Sequence, residues 1–161
     1  MKDAGVTVRP YTPADIPALI ALMQAMQAHY RVPCPAEALI AADLAALPPG
    51  NGILVAESAT HITGFAAWSL QWPGPGLRRG LYLKEIFVAA PARGSGHGRA
   101  LMVALAALAR TQVCARIDFT ANAADAKLLA FYARLGATPD PRRLFHRLTG
   151  AALNRLAETD S

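Results

Sequence analysis

The segment RGSGHGRAL, Arg93 to Leu101, sets glycines at 94, 96 and 98 and arginines at 93 and 99. Glycine inside ordered structure costs roughly 0.5–1 kcal/mol relative to alanine, so three this close together point to a backbone that must approach something. In a turn from strand to helix such a loop offers free N–H groups, and the helix dipole adds partial positive charge at the same place. Together these suit phosphate oxygens. A Walker loop requires a lysine and a hydroxyl residue after the last glycine, but Arg99 and Ala100 follow Gly98. A dinucleotide fingerprint requires Gly or Ala at its sixth position, where the two registers place Arg99 and Leu101. The phosphate ligand is therefore of another kind; a tight turn with no ligand is the plainer alternative.

The elements that must position this loop can be read from periodicity and punctuation. Val6 to Arg9 is a short strand. Thr12 with Pro13 opens a helix whose apolar positions are Ile16, Leu19, Ile20, Met23 and Met26. Val32-Pro-Cys-Pro35 breaks it, and Ala36 to Leu47 forms a second helix. Ile53–Ser58 and Ile62–Gln71 read as strands, Trp72 to Gly76 as a loop, and Leu81–Val88 as the strand that feeds the glycines. Arg99–Arg110 is a helix, Arg116–Thr120 a strand, and Asp125–Leu135 a helix closed by Gly136. Leu144–Leu148 reads as a last strand and Gly150–Ala157 as an amphipathic tail helix. Three consecutive strands in the middle imply a mixed sheet with helices packed on it. No internal repeat or composition shift marks a second domain, so residues 1–161 are read as one.

Composition narrows the class. With 53% apolar and 17% charged residues, the chain is globular rather than disordered. A net charge of +5 favours an anionic ligand, but the basic residues are scattered without interleaved aromatics, which speaks against nucleic acid. No uncharged apolar run reaches the roughly 18 residues a membrane span needs, and MKDAGVTVRP lacks a signal core. Cys34 and Cys114 have no partner at metal-ligand spacing, so no metal site is expected, and a cytoplasmic protein with free thiols is the default. His29, His61 and His146 form no constellation, and His97 reads as exposed in its loop.

The loop Arg93-Gly-Ser-Gly-His-Gly98 after a strand resembles the [QR]-x-x-G-x-[GA] acetyl-CoA pyrophosphate loop of the GNAT N-acetyltransferase superfamily. LYLKEIFVAAPARGSGHGRALM, LLAFYARLGA, RPYTPADIPAL and HITGFAAW are similar to further parts of that family, and FHRLTGAALNRLA to the ending of its spermidine/spermine (diamine) acetyltransferase branch. The resemblance implies an α/β (α+β) GNAT fold: a mixed, mostly antiparallel central sheet of six to seven strands flanked by helices on both faces. It also implies acetyl-CoA as cofactor, a homodimer, and acetyl transfer to a primary amine of a small molecule; transfer is read as direct because neither Cys34 nor Cys114 lies in a matched catalytic motif. A peptide or protein acetyltransferase and a non-catalytic CoA-binding module are the alternatives.

On that resemblance, Gly94, Ser95, Gly96, His97, Gly98 and Arg99 hold the pyrophosphate, helped by Arg93. Ile86, Phe87 and Val88 pair with the pantetheine arm, and the Val88 N–H stabilises the oxyanion. Tyr132 is implied as the acid that protonates the CoA thiolate; a phenol of pKa about 10 can donate at neutral pH. Asp125 stands where the family often has an asparagine on the pantetheine arm, and is also well suited to cap a helix. Glu85 is the acid nearest the reacting centre. The family's usual acid before it is replaced by Lys84, which disfavours a polycationic acceptor and suits either a substrate carboxylate or a position in solvent. Strict alternation places Lys84 and Glu85 on opposite faces of the strand, so Glu85 does not simply replace the missing acid; the base is unassigned, with ordered water the default. Tyr30, Trp68 and Trp72 come from regions that shape the acceptor pocket in relatives.

Overall fold

The computed structural model describes residues 5–158. The chain divides into two compact units, one ending at Thr120 and one beginning at Ala121.

The first unit is a five-stranded sheet in chain order: β1 (Val6–Pro10), β2 (Asn51–Ser58), β3 (His61–Gln71), β4 (Gly80–Val88) and β5 (Ile117–Phe119). The first four strands are antiparallel neighbours, and β5 pairs with β4 in parallel. Helices α1 (Ile16–Tyr30) and α2 (Glu37–Ala45) precede β2, and α3 (His97–Thr111) connects β4 to β5. A short helical turn, Pro13–Asp15, leads into α1. Thr12 caps it, and Asp15 reaches back to the Thr12 N–H at 2.6 Å.

Each sheet face carries its own core. Leu19, Ile20, Met26, Ile40 and Leu44 from α1 and α2 pack on Ile53, Val55, Phe65 and Phe87. Leu101, Leu105 and Ala109 from α3 pack on Leu54, Ala66, Leu81 and Leu83. Helices therefore flank both faces of the sheet.

Two register shifts interrupt the ladders. Between β2 and β3, Ala56 pairs with Gly64 and Glu57 with Ile62, so Thr63 is an extra, bulged residue on β3. Between β3 and β4, Ala67 pairs with Glu85 and Trp68 with Leu83, so Lys84 is bulged on β4. A bulge leaves one residue unpaired and re-aims the side chains beyond it.

The second unit holds α4 (Ala126–Arg134) and α5 (Gly150–Glu158). The expected strand at Leu144–Leu148 does not form among the described residues, which leaves the sheet at five strands rather than six or seven. Its apolar residues are in the sequence, but a strand also needs a ladder partner, and none is paired with it; Leu144 and Phe145 are exposed instead.

Candidate active site

The two edges of β4 differ. β3 accompanies it from Gly80 to Val88, whereas β5 pairs only with Leu81, Tyr82 and Leu83. Beyond Leu83 no strand among the described residues covers that edge. The Ala89 N–H donates to the Thr63 carbonyl at 2.8 Å, toward β3. Because successive residues of an antiparallel strand bond to opposite sides, the N–H groups of Ile86 and Val88 point to the uncovered edge. The Val88 carbonyl on that edge is taken by Arg93 Nε at 2.9 Å, and the Arg93 guanidinium lies 5.2 Å from the centre of the Phe87 ring. Val88 thus presents a donor with no ladder partner, and Arg93 braces the loop on the end of β4.

The loop then turns into α3. Gly94 (φ 78°) and Gly96 (φ 89°) occupy the left-handed region. A Cβ at Gly94 would meet nothing within 4 Å, so conformation rather than space requires the glycine there. Gly96 is the N-cap of α3, no side chain caps the helix, and its first bond runs from the Ala100 N–H to the Gly96 carbonyl at 2.9 Å. The N–H groups of His97, Gly98 and Arg99 are left without intrahelical acceptors at the positive end of a 15-residue helix. Ser95 and Arg99 are exposed beside them. Backbone donors, dipole and nearby cations fit a pyrophosphate, and the uncovered β4 edge fits the amide-bearing arm attached to it.

His97 is not the exposed loop residue the sequence suggested: it is 5% exposed. Its Nδ1 lies 2.7 Å from Thr63 Oγ1. The Thr63 hydroxyl spends its one proton on the Ala56 carbonyl at 3.1 Å, so it accepts from His97, which fixes a proton on Nδ1. The Thr63 carbonyl meanwhile receives the Ala89 N–H. One bulged residue therefore ties down both ends of the loop, where it leaves β4 and where it enters α3. Sequence reasoning had no access to this link, because Thr63 reads as an ordinary strand residue.

A cavity of about 560 Å³ opens on the other flank of β4, between the sheet and helices α1 and α2. Its walls are mainly apolar, from Met23, Met26, Ile40, Leu44, Ile53 and Phe65. Lys84 and Glu85 both line it, and Lys84 Nζ lies 3.6 Å from Glu85 Oε1. The expectation that they face opposite ways is wrong, and the bulge is the reason. Before it Leu81 and Leu83 face α3; after it Ile86 and Val88 do. The shift leaves Lys84 and Glu85 together on the α1–α2 side. Asp43, Cys34, Asn51 and Tyr82 also reach the cavity, none of them foreseen. They come from α2, the loop between α1 and α2, the start of β2, and β4, and only the packing of α1 and α2 over the sheet gathers them.

A match to the model of the acetyltransferase (GNAT) family covers residues 19–137. The chain belongs to that family. Its members generally use acetyl-CoA. An integron cassette protein from the mobile metagenome of V. cholerae is 27% identical, with a TM-score of 0.84 over 96% of this chain and 99% of its own. An aminoglycoside acetyltransferase from an uncultured soil metagenomic sample, in complex with sisomicin, is 17% identical, with a TM-score of 0.74 over 92% and 100%. A ribosomal-protein-alanine N-acetyltransferase from Brucella melitensis biovar Abortus 2308 is 19% identical, with a TM-score of 0.71 over 89% and 99%. These last two share the fold. A comparison with curated proteins gave no match.

The remaining expected site residues divide. Trp68 borders the cavity, and its indole lies over Gly52, where any Cβ would collide with the ring, while it packs with the core under α3. It is thus a wall residue of that cavity that also packs into the core. Trp72 is 70% exposed, bonds through Nε1 to the Leu77 carbonyl of its own loop at 3.2 Å, and does not line the cavity. Tyr30 is likewise outside the lining, exposed at the end of α1 against His29. In the second unit, Asp125 caps α4, accepting from the Leu128 N–H at 2.9 Å. Tyr132 is the buried residue of that helix, its ring 5.2 Å from that of Phe131, and its carbonyl accepts the Leu135 and Ala137 N–H groups as the helix ends. No helix among the described residues is long and apolar enough to cross a membrane.

Proposed function

We propose that this GNAT protein transfers acetyl from acetyl-CoA directly to a primary amine of a small molecule, an amine or an amino-acid-like compound. The observation that carries this reading is the uncovered β4 edge running into the uncapped start of α3, with an acceptor-sized cavity beside it. His97, Gly98 and Arg99 would hold the pyrophosphate, and Ile86 and Val88 the arm. Acetyl-CoA supplies the acetyl group as a thioester: the ammonium first loses a proton through water toward Glu85, the freed nitrogen lone pair bonds to the acyl carbon, the C–S bond breaks as the thiolate takes a proton from Tyr132, and the second nitrogen proton leaves through water and restores the Tyr132 phenol. Tyr132 is assigned on the LLAFYARLGA motif, Glu85 on its place in the cavity.

The family match runs across both units, which supports reading them as one acetyltransferase domain. The ending FHRLTGAALNRLA favours the diamine-acetyltransferase-like branch, although Lys84 argues against a polycationic acceptor. Exposed Leu144, Phe145 and Leu148 support a homodimer, and the free thiols support a cytoplasmic setting.

The test is CoA thiol release from acetyl-CoA across a library of amines and peptides. Saturable, amine-dependent release supports the proposal. Preference for peptide N-termini over every small amine would move it to the peptide class. Tight CoA binding with no turnover would leave only a CoA-binding module. Cys34 lies at the cavity, so intact mass after incubation with acetyl-CoA alone is a second check; direct transfer predicts no acetylated Cys34.

A further inference from the structure

We infer that the acceptor is a free α-amino acid with an apolar side chain, held by its zwitterionic head on the Lys84–Glu85 pair. The inference rests on the acetyltransferase reading and names its substrate. Three observations carry it. The bulge at Lys84 sets a cation and an anion side by side on one cavity wall, with Nζ and Oε1 3.6 Å apart. A zwitterion offers the mirror image, a carboxylate for Lys84 and an ammonium for Glu85. Exposed ion pairs of this kind are weak, so the substrate exchanges one partner for another at little cost. The rest of the wall is mainly apolar, from Met23, Met26, Ile40, Leu44, Ile53 and Phe65, and takes an apolar side chain more readily than a second charge. Asp43 is the third charged group of the lining, exposed on α2. An amine without a carboxylate can take Glu85 from Lys84 but gives Lys84 no anion in exchange. Glu85 then serves twice, first holding the ammonium and next receiving its proton through water, which frees the nitrogen lone pair for attack.

The experiment is steady-state thiol release with L-leucine, L-methionine and L-phenylalanine, against isopentylamine (leucine without its carboxylate), glycine and spermidine. Leucine is expected to exceed both isopentylamine and glycine in kcat/KM by about tenfold or more. Lys84→Met should raise the KM for leucine and bring the leucine-to-isopentylamine ratio close to one. An equal or better rate with isopentylamine or spermidine in the unsubstituted enzyme would overturn the inference, as would a ratio that Lys84→Met leaves in place. Either result still shows an acetyltransferase. If no amine releases thiol although acetyl-CoA binds by calorimetry, the acetyltransferase reading itself has failed and the inference with it.

Discussion

The sheet contains two bulges, and they do opposite things. At Thr63 the extra residue turns inward: its hydroxyl, carbonyl and neighbours are all engaged, and it anchors a buried histidine and both ends of the glycine loop. At Lys84 the extra residue turns outward: the ladder slips by one, and two charged side chains that alternation would separate arrive together at a cavity. The same backbone device gives rigidity in one place and re-aimed chemistry in the other. The difference lies in the side chain supplied, a short β-branched hydroxyl in a satisfied network against a long ammonium facing solvent.

The largest effects are expected at residues outside both bulges. Tyr132→Phe should lower kcat by roughly 100-fold or more, the usual worth of a positioned acid, with little change in acetyl-CoA affinity. An unchanged kcat would remove Tyr132 as the acid. Gly96→Val forces a β-branched residue into the left-handed N-cap of α3 and should weaken acetyl-CoA binding by at least about tenfold in calorimetry, since even a single L-residue there costs roughly 1–2 kcal/mol. Undiminished affinity would mean the loop does not hold the phosphates.

How these residues came together was only partly legible. Ten of the eleven expected elements formed, because apolar periodicity and Gly-Pro punctuation are local signals. The loop glycines were legible for the same reason: a positive φ leaves its mark in residue type. Register is not local. Nothing in LYLKEIFV or HITGFAAW announces an extra residue, since the slip is decided by the strand opposite. Hence alternation sends Lys84 and Glu85 to opposite faces, and the Thr63–His97 link leaves no mark in the sequence. Leu144–Leu148 failed for a related reason: alternation describes a strand's faces but not the neighbour it must pair with.

Smaller effects are expected around the inner bulge. Thr63→Val keeps the shape and removes the hydroxyl, leaving the Nδ1 proton of His97 unpaired. An unsatisfied buried donor costs about 1–3 kcal/mol of stability; the free loop shifts to relieve it, and returning it to the binding geometry should lower acetyl-CoA affinity by up to roughly tenfold. Beside this bulge, Arg9 Nε donates to Glu57 at 3.0 Å, and its Nη1 and Nη2 donate to buried Asp15 at 2.7 and 2.9 Å. The hydrogen bonds from Arg9, aided by those from Thr12, hold the Asp15 carboxyl well below the usual carboxylate range despite its burial. A carboxylate with a depressed folded-state pKa stabilises the fold above its unfolded value of about 3.9, and that stability is lost as the pH falls through the folded value. Asp15→Asn should therefore cost roughly 1–3 kcal/mol near neutrality and flatten the decline in unfolding free energy below pH of about 4. Equal slopes for both proteins would show the pair to be energetically idle.

The division of labour between the bulges is tested most directly by bisubstrate kinetics on Thr63→Val and Lys84→Met, using the best amine of the panel. A crossed pattern is predicted: Thr63→Val raises the KM for acetyl-CoA far more than that for the amine, and Lys84→Met does the reverse. If both variants move the same constant, or each moves both constants equally, the two bulges do not serve separate substrates and the account is wrong.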